Sequence, residues 1–174
     1  DALTIGMQLE PPNLDPTGGA AEAIDSVVYL NIFQGLTRFM SDGSVEPLLA
    51  TGWDVSADGL VWTFALQAGV TFHDGTAFDA EDVKFSLDRA RAEDSTNAQK
   101  ALFAQIADVT VIDPMTVQVT LSQPNGALPF NLAWGDAVIV APETAATNAT
   151  APVGTGPYRF GQWVQGDRVE LVRN

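Results

Sequence analysis

Residues 63–91 read TFALQAGVTFHDGTAFDAEDVKFSLDRAR, and this stretch holds a strand, a turn and a helix in one legible unit. Thr63, Ala65 and Gln67 alternate with Phe64, Leu66 and Ala68, the two-residue period of a strand with one buried face. Gly69 ends that strand. Val70 and Phe72 begin a second short extended piece, and the Asp74-Gly75 pair suits a tight turn because glycine accepts positive φ without a Cβ clash. Asp79 then has the chemistry of an N-cap, with Glu81 and Asp82 placing negative charge at the positive end of the helix. Phe78 before the cap and Val83 after it have the spacing of a hydrophobic staple. Val83, Leu87 and Ala90 continue an inward stripe, and Arg89 and Arg91 lie near the helix C-terminus, where cations are favoured.

Working outward, the segment 46–64 carries Pro47-Leu48-Leu49-Ala50, Trp53, an Asp58-Gly59 turn and an aromatic strand through Trp62 and Phe64, and residues 152–158 read PVGTGPY. Together with GVTFHDGTAFDAEDVKFSLDRAR at 69–91, these motifs resemble the signatures of the family 5 solute-binding proteins, the extracytoplasmic receptors of ABC importers for oligopeptides, dipeptides and nickel. The resemblance covers essentially the whole chain. It implies a mixed α/β fold of the type II periplasmic binding protein kind, built as partial lobe I plus an inserted small subdomain. On that reading residues 1–45 and 152–174 form the discontinuous lobe I portion, residues 46–151 form the insertion, and the second lobe is absent from this chain. The residues by themselves say less: a capped helix packed on a strand, with nothing about ligands.

Composition narrows the function classes independently. The 174 residues carry 22 acids against 8 Lys and Arg, a net charge of −14. With no basic cluster, nucleic acid and anionic membrane surfaces are poor partners. Nine Phe and four Trp supply a core, each fully buried apolar side chain contributing about 1.5–3 kcal/mol. No apolar run approaches the ~20 residues of a membrane span, and no signal peptide precedes Asp1, so the expectation is a mature or trimmed soluble form. There is no cysteine, hence no disulfide framework and no thiolate chemistry, which is compatible with an oxidising compartment.

Elsewhere the pattern predicts an opening strand through Leu3, Ile5 and Met7, a loop at 13–20, a helix over 21–34, and a strand at 35–39 followed by the turn at 41–44. Beyond the central unit it predicts a short helix over 98–105, a hairpin of β-branched strands at 106–112 and 116–121, and a short helix over 127–133. A strand at 137–140, a surface loop at 146–151 and a terminal hairpin about Gln165-Gly166-Asp167 complete the expectation.

The candidate site comes from the resemblance. In the family, the loop and helix start equivalent to 18–26 line the ligand cleft, which points to Gly18, Gly19, Ala20, Ala21, Asp25 and Ser26. The segment equivalent to 132–136 also reaches the cleft, which adds Trp134, Gly135 and Asp136. An indole at 134 offers a large rigid surface with one N–H donor, or simply closes the end of a hydrophobic layer. Gly135 lets a ligand approach the backbone, and Asp136 either binds a ligand ammonium or caps a turn. Trp53 and Trp62 fall within strands and are expected in core or sheet packing. His73, the only histidine, has no locally spaced companions for a metal site and is expected to hydrogen-bond near its turn.

The implied function is capture of a peptide or similar small solute and its delivery to a membrane permease, with no catalytic residues, metal or cofactor, in the periplasm or membrane-associated outside the cytoplasm, by a protein that is monomeric at full length. A sensor or chaperone-like module on the same fold is the alternative. A carboxylate hydrolase is the remote one, since Asp54, Asp58, Asp74, Asp79, Glu81 and Asp82 mostly suit turns and caps.

Overall fold

The computed structural model describes residues 2–174. At its centre is a four-stranded antiparallel sheet in the order β3-β4-β6-β5, formed by β3 (Ala50–Val55), β4 (Val61–Leu66), β6 (Thr116–Leu121) and β5 (Ile106–Asp113). Alternation decides which face is covered. Trp62, Phe64 and Leu66 of β4 and Val117, Val119 and Leu121 of β6 all point into one core, as the two-residue period requires. That face is closed by α2 (Ala80–Arg91), whose Val83, Leu87 and Ala90 lie in the same cluster.

The helix starts as its cap demands. Asp79 Oδ1 accepts from the Glu81 N–H at 2.8 Å, and Asp82 Oδ2 accepts from the Asp79 N–H at 2.9 Å, a reciprocal capping box. Phe78 and Val83 are both buried in the core beside it. Upstream, Gly75 sits at φ +91° in the turn that closes Phe72 on Thr76, a conformation that costs other residues energy.

Two small hairpins flank this sheet. β1 (Thr37–Phe39) pairs with β2 (Val45–Pro47), and β7 (Tyr158–Val164) pairs with β8 (Arg168–Arg173). A second core gathers Leu14, Ile24, Val27, Val28, Ile32 and Phe33 with Phe160, Trp163, Val169 and Leu171 from the β7–β8 hairpin. Short helices α3 (Lys100–Phe103) and α4 (Leu128–Asn131) complete the regular elements.

Four sequence expectations need correction. Residues 2–7 form no strand, and Leu3, Ile5 and Leu9 are 85%, 75% and 71% exposed; their alternation has no neighbouring strand to pair with. The helix expected over 21–34 is α1 (Glu22–Val28) alone. It stops because Leu30 adopts φ +60° and donates its N–H to the Phe33 carbonyl, turning the chain so that the apolar residues beyond it still reach the core.

Residues 138–141 are extended but join no sheet. Ala137, Ile139 and Ala141 face the first core while Val138 and Val140 face the second, so a strand's alternation is present with both faces buried. The ladder is missing because other groups satisfy the backbone. The Ile139 N–H donates to the Gln34 carbonyl at 2.9 Å, and Ser86 Oγ accepts from the Val140 N–H at 2.9 Å and donates to the Val140 carbonyl at 3.1 Å. The expected surface loop at 146–151 contains a fully buried Asn148, whose Oδ1 accepts from the Val153 N–H.

Candidate binding face

The loop ahead of α1 is fastened by one carboxylate. Asp15 Oδ1 accepts from the Thr17 N–H at 2.9 Å and hydroxyl at 2.6 Å, and Oδ2 pairs with Arg89 Nη2 at 3.3 Å. This ties the loop to the last turn of α2, where a cationic side chain is also favoured by the helix dipole. Gly18 lies against that Asp15 carboxylate, and Gly19 and Ala20 lead on to Ala21, the residue preceding α1. Gly18 and Ala20 are exposed. Ser26 faces outward, and its hydroxyl turns back to donate to the Glu22 carbonyl at 3.0 Å.

Asp25 and Tyr29 come from one face of α1 and its end, spaced one helical turn apart, and both meet the segment after α4. The Tyr29 hydroxyl donates to the Ala133 carbonyl. The Asp25 carboxylate presses on Gly135 so closely that a Cβ there would stand 2.5 Å from Asp25 Oδ1. Glycine at 135 is therefore a steric requirement of the Asp25 position. Asp136 follows in a short 3-10 turn (Gly135–Ala137), its backbone carbonyl held by Asn97 Nδ2 at 2.8 Å. The structure thus brings Asp25 against Gly135 and its chain neighbours Trp134 and Asp136, while Gly18, Gly19 and Ala20 lie in the loop leading to Ala21 and α1, and Ser26 is exposed on that helix.

The electrostatics of this cluster are unusual. Burial pushes the Asp136 carboxyl up to about 6, with the nearby Asp25 charge adding to the effect. Burial also raises Asp25, with Glu22 contributing. Neither carboxylate has a salt-bridge partner among the described residues. Both carboxyls are therefore harder to ionise than a solvated aspartate.

Trp134 stands at the rim, 39% exposed, edge-on to Phe39 at 5.6 Å and to Phe130 at 6.1 Å, with Phe39 and Phe130 4.9 Å apart. The T-shaped geometry is the one aromatic quadrupoles favour. β1 and α4 position these rings, joined by the Thr37 hydroxyl donating to the Pro129 carbonyl at 2.7 Å. Tyr29, Asn97, Phe39 and Phe130 were not singled out from the sequence. Each lies 39 or more residues from at least one partner it meets, so no local spacing could have disclosed it.

The other acids have local duties. Asp58 accepts from the Ser56 hydroxyl and the Leu60 N–H, Asp74 accepts from the Thr76 hydroxyl and N–H, and Asp79 and Asp82 cap α2. Burial pushes Asp82 up to about 6. His73 bridges its turn to the PVGTGPY segment: its Nδ1 accepts from the Gly154 N–H at 3.3 Å and its Nε2 meets the Gly156 carbonyl at 2.9 Å. Among the described residues no group of three or more His, Asp or Glu side chains is placed to hold a metal, and no helix is long and apolar enough to cross a membrane.

Comparison with known proteins gives four matches. Residues 44–174 match the family model described as bacterial extracellular solute-binding proteins, family 5 Middle. The chain is 39% identical over 165 residues to the glutathione-binding protein GsiB of Pectobacterium atrosepticum, covering 92% of this chain and 32% of that protein. Among solved structures it is similar to the PBP AgaA in complex with agropinic acid from A. tumefaciens R10, with a TM-score of 0.87 and 33% identity over 94% of this chain and 34% of that one. It is also similar to NikZ from Campylobacter jejuni in complex with Ni(L-His), with a TM-score of 0.83 and 31% identity over 95% and 34% of the two chains. The chain spans about a third of the length of the curated relatives it matches.

Proposed function

The chain belongs to the bacterial extracellular solute-binding proteins of family 5, and from that premise we propose that it supplies one wall of a receptor that captures a small solute or peptide and hands it to an ABC permease. The mixed α/β fold is that of the family's type II binding proteins. In this reading residues 1–45 and 152–174 are part of lobe I, residues 46–151 are a subdomain inserted in it, and the second lobe lies outside this chain. The solute rests on Asp25, Trp134, Gly135 and Asp136, with Gly18, Gly19, Ala20, Ala21 and Ser26 along the edge. It is held without covalent chemistry, metal or cofactor, by a protein that works as a monomer in the periplasm.

The observation that carries this reading is the convergence of Asp25 on a glycine that has room for nothing else, beside an indole left partly bare. Loops that place polar groups and an aromatic surface on rigid elements are the usual makings of a ligand site. The relatives fit small-solute capture: one is named for glutathione, and others were solved with agropinic acid and with a nickel–histidine complex.

Mass spectrometry of solutes released on denaturing the full gene product, purified from the cell envelope under mild conditions, tests the reading. A stoichiometric small solute is expected, and Trp134→Ala should reduce its retention by about tenfold, the effect of losing one well-packed aromatic contact. Absence of any bound solute, together with no thermal stabilisation by a library of peptides, sugars, opines and metal chelates, would overturn it.

A further inference from the structure

The sheet β3-β4-β6-β5 ends on a strand that no other strand of the described residues pairs with on its outer side. β5 is also the longest strand among them, eight residues from Ile106 to Asp113. Its stretch 107–112 reads ADVTVI, with one charge, no proline and no glycine. A long β-branched edge of that kind is a template on which another extended chain can add. Its outward backbone groups can be identified. The N–H and carbonyl of one strand residue point to the same side, and the side alternates along the strand. Leu121 of β6 turns toward β4, donating its N–H to the Leu60 carbonyl, so Val119, two residues away, turns the same way. Val109 lies opposite Val119 and therefore presents its N–H and carbonyl to the open side, as does Val111.

α2 reaches over that side. Lys84 Nζ donates to the Val109 carbonyl at 2.7 Å. Where the register shifts between Ile106 and Asp108, Arg91 Nη1 donates to the Ile106 and Ala107 carbonyls, each at 3.2 Å. Asp88 stands between the two cations and accepts from both. Its Oδ2 takes Lys84 Nζ at 2.9 Å, and its Oδ1 takes Arg91 Nη2 at 2.7 Å and Nε at 2.9 Å. The spacing 84, 88, 91 puts all three on one helix face, so a single carboxylate aims two cations at the strand. Partly exposed ion pairs of this kind contribute little to stability. Yet they engage two of only eight Lys and Arg in a chain with 22 acids. What the arrangement does is fill acceptor positions that an incoming strand needs and set two charged side chains across its path.

We propose that Lys84, Asp88 and Arg91 form a guard on the open edge of β5, which keeps a second copy of this chain from pairing with it. Two copies meeting there run antiparallel about a twofold axis and exchange the backbone hydrogen bonds of Val109 and Val111. They do so only once the cations have left their carbonyls. The guard is independent of what the chain captures.

The full gene product carrying both Lys84→Met and Arg91→Met keeps apolar stems over the strand and loses the donors. In sedimentation velocity the parent is expected to remain monomeric, while the double variant associates with a constant at least about tenfold above the parent's. Hydrogen exchange locates the contact, since the Val109 and Val111 amides should exchange at least about tenfold more slowly in the associated variant than in the parent. Lys84→Arg combined with Arg91→Lys keeps a cation at each position and should stay monomeric.

A double methionine variant that is folded and monomeric would overturn the guard. So would association that leaves those two amides unprotected, equal association by the cation-preserving pair, or a parent that already dimerises through these amides. If the double variant does not fold, Asp88→Asn decides by the same two measurements, because it keeps both cations and removes their aim. Association that protects Val109 and Val111 supports the guard there, and unchanged behaviour overturns it.

Discussion

A single imidazole joins two segments that lie more than 80 residues apart. Because the Gly154 N–H donates to Nδ1 of His73, the ring proton belongs on Nε2, where it is donated to the Gly156 carbonyl. The ring works only when neutral, and burial duly holds its pKa below the ordinary 6.5. For a base with a depressed folded pKa, the unfolded chain binds more protons in the window just below 6.5. The stability the ring provides is therefore complete above that pH and is lost as pH falls through the folded value. Replacing His73 with Ala should cost about 1–3 kcal/mol at pH 7.5, the price of leaving buried backbone groups unpaired. In urea titrations the gap between variant and parent should narrow as pH drops below 6.5. A gap that stays constant down to pH values well into the acid range would show that the imidazole's hydrogen bonds are not what matters there.

At the level of elements, how much could be read in advance depended on how far each determinant lies along the chain. The start of α2 was fully legible, because Asp79, Asp82, Phe78 and Val83 sit within six residues and act on one another. Asp79→Ala should remove the cap and cost about 1 kcal/mol, measured as a shift in urea midpoint with an unchanged slope. An unchanged midpoint would mean that packing alone fixes the helix start. Residues 137–140 read as a sheet strand because their alternation is real, yet the hydrogen-bond partners of this stretch, Gln34 and Ser86, lie more than 50 residues upstream. Likewise α1 was drawn six residues too long, since the apolar run continues past the Leu30 turn and composition does not record a positive φ. The proposed binding face shows the same rule. Trp134, Gly135 and Asp136 were reached through a family resemblance, while Tyr29 and Asn97, which hold that segment through backbone carbonyls, have no local signature at all.

On the scale of the whole molecule, the two cores share a seam, and the proposed binding face sits beside it. Residues 137–141 feed alternate side chains to each core, so α1 and the sheet with α2 are locked through one segment that begins three residues after Trp134. Gly154 and Gly156 close the same unit from the far end of the chain. A Cβ at either would stand 2.1–2.2 Å from the carbonyl oxygen of Ile32 or Asn31, and the Gly156 and Tyr158 N–H groups donate to those two carbonyls. These contacts brace the proposed face, and a braced face spares a ligand the cost of ordering it. It is also one-sided: Trp134 and Phe130 remain 39% and 45% exposed with nothing over them. A ligand resting there gives up solvent on one side only, and a clamp gains ligand-dependent closure only from contacts made by both walls. We therefore expect residues 1–174 alone to bind glutathione or trialanine no tighter than about micromolar, whichever solute the full gene product prefers, with titration calorimetry as the measure. Submicromolar binding by this chain in isolation would mean that the Asp25–Asp136 face is a complete site, and that closure by a second lobe contributes nothing to affinity.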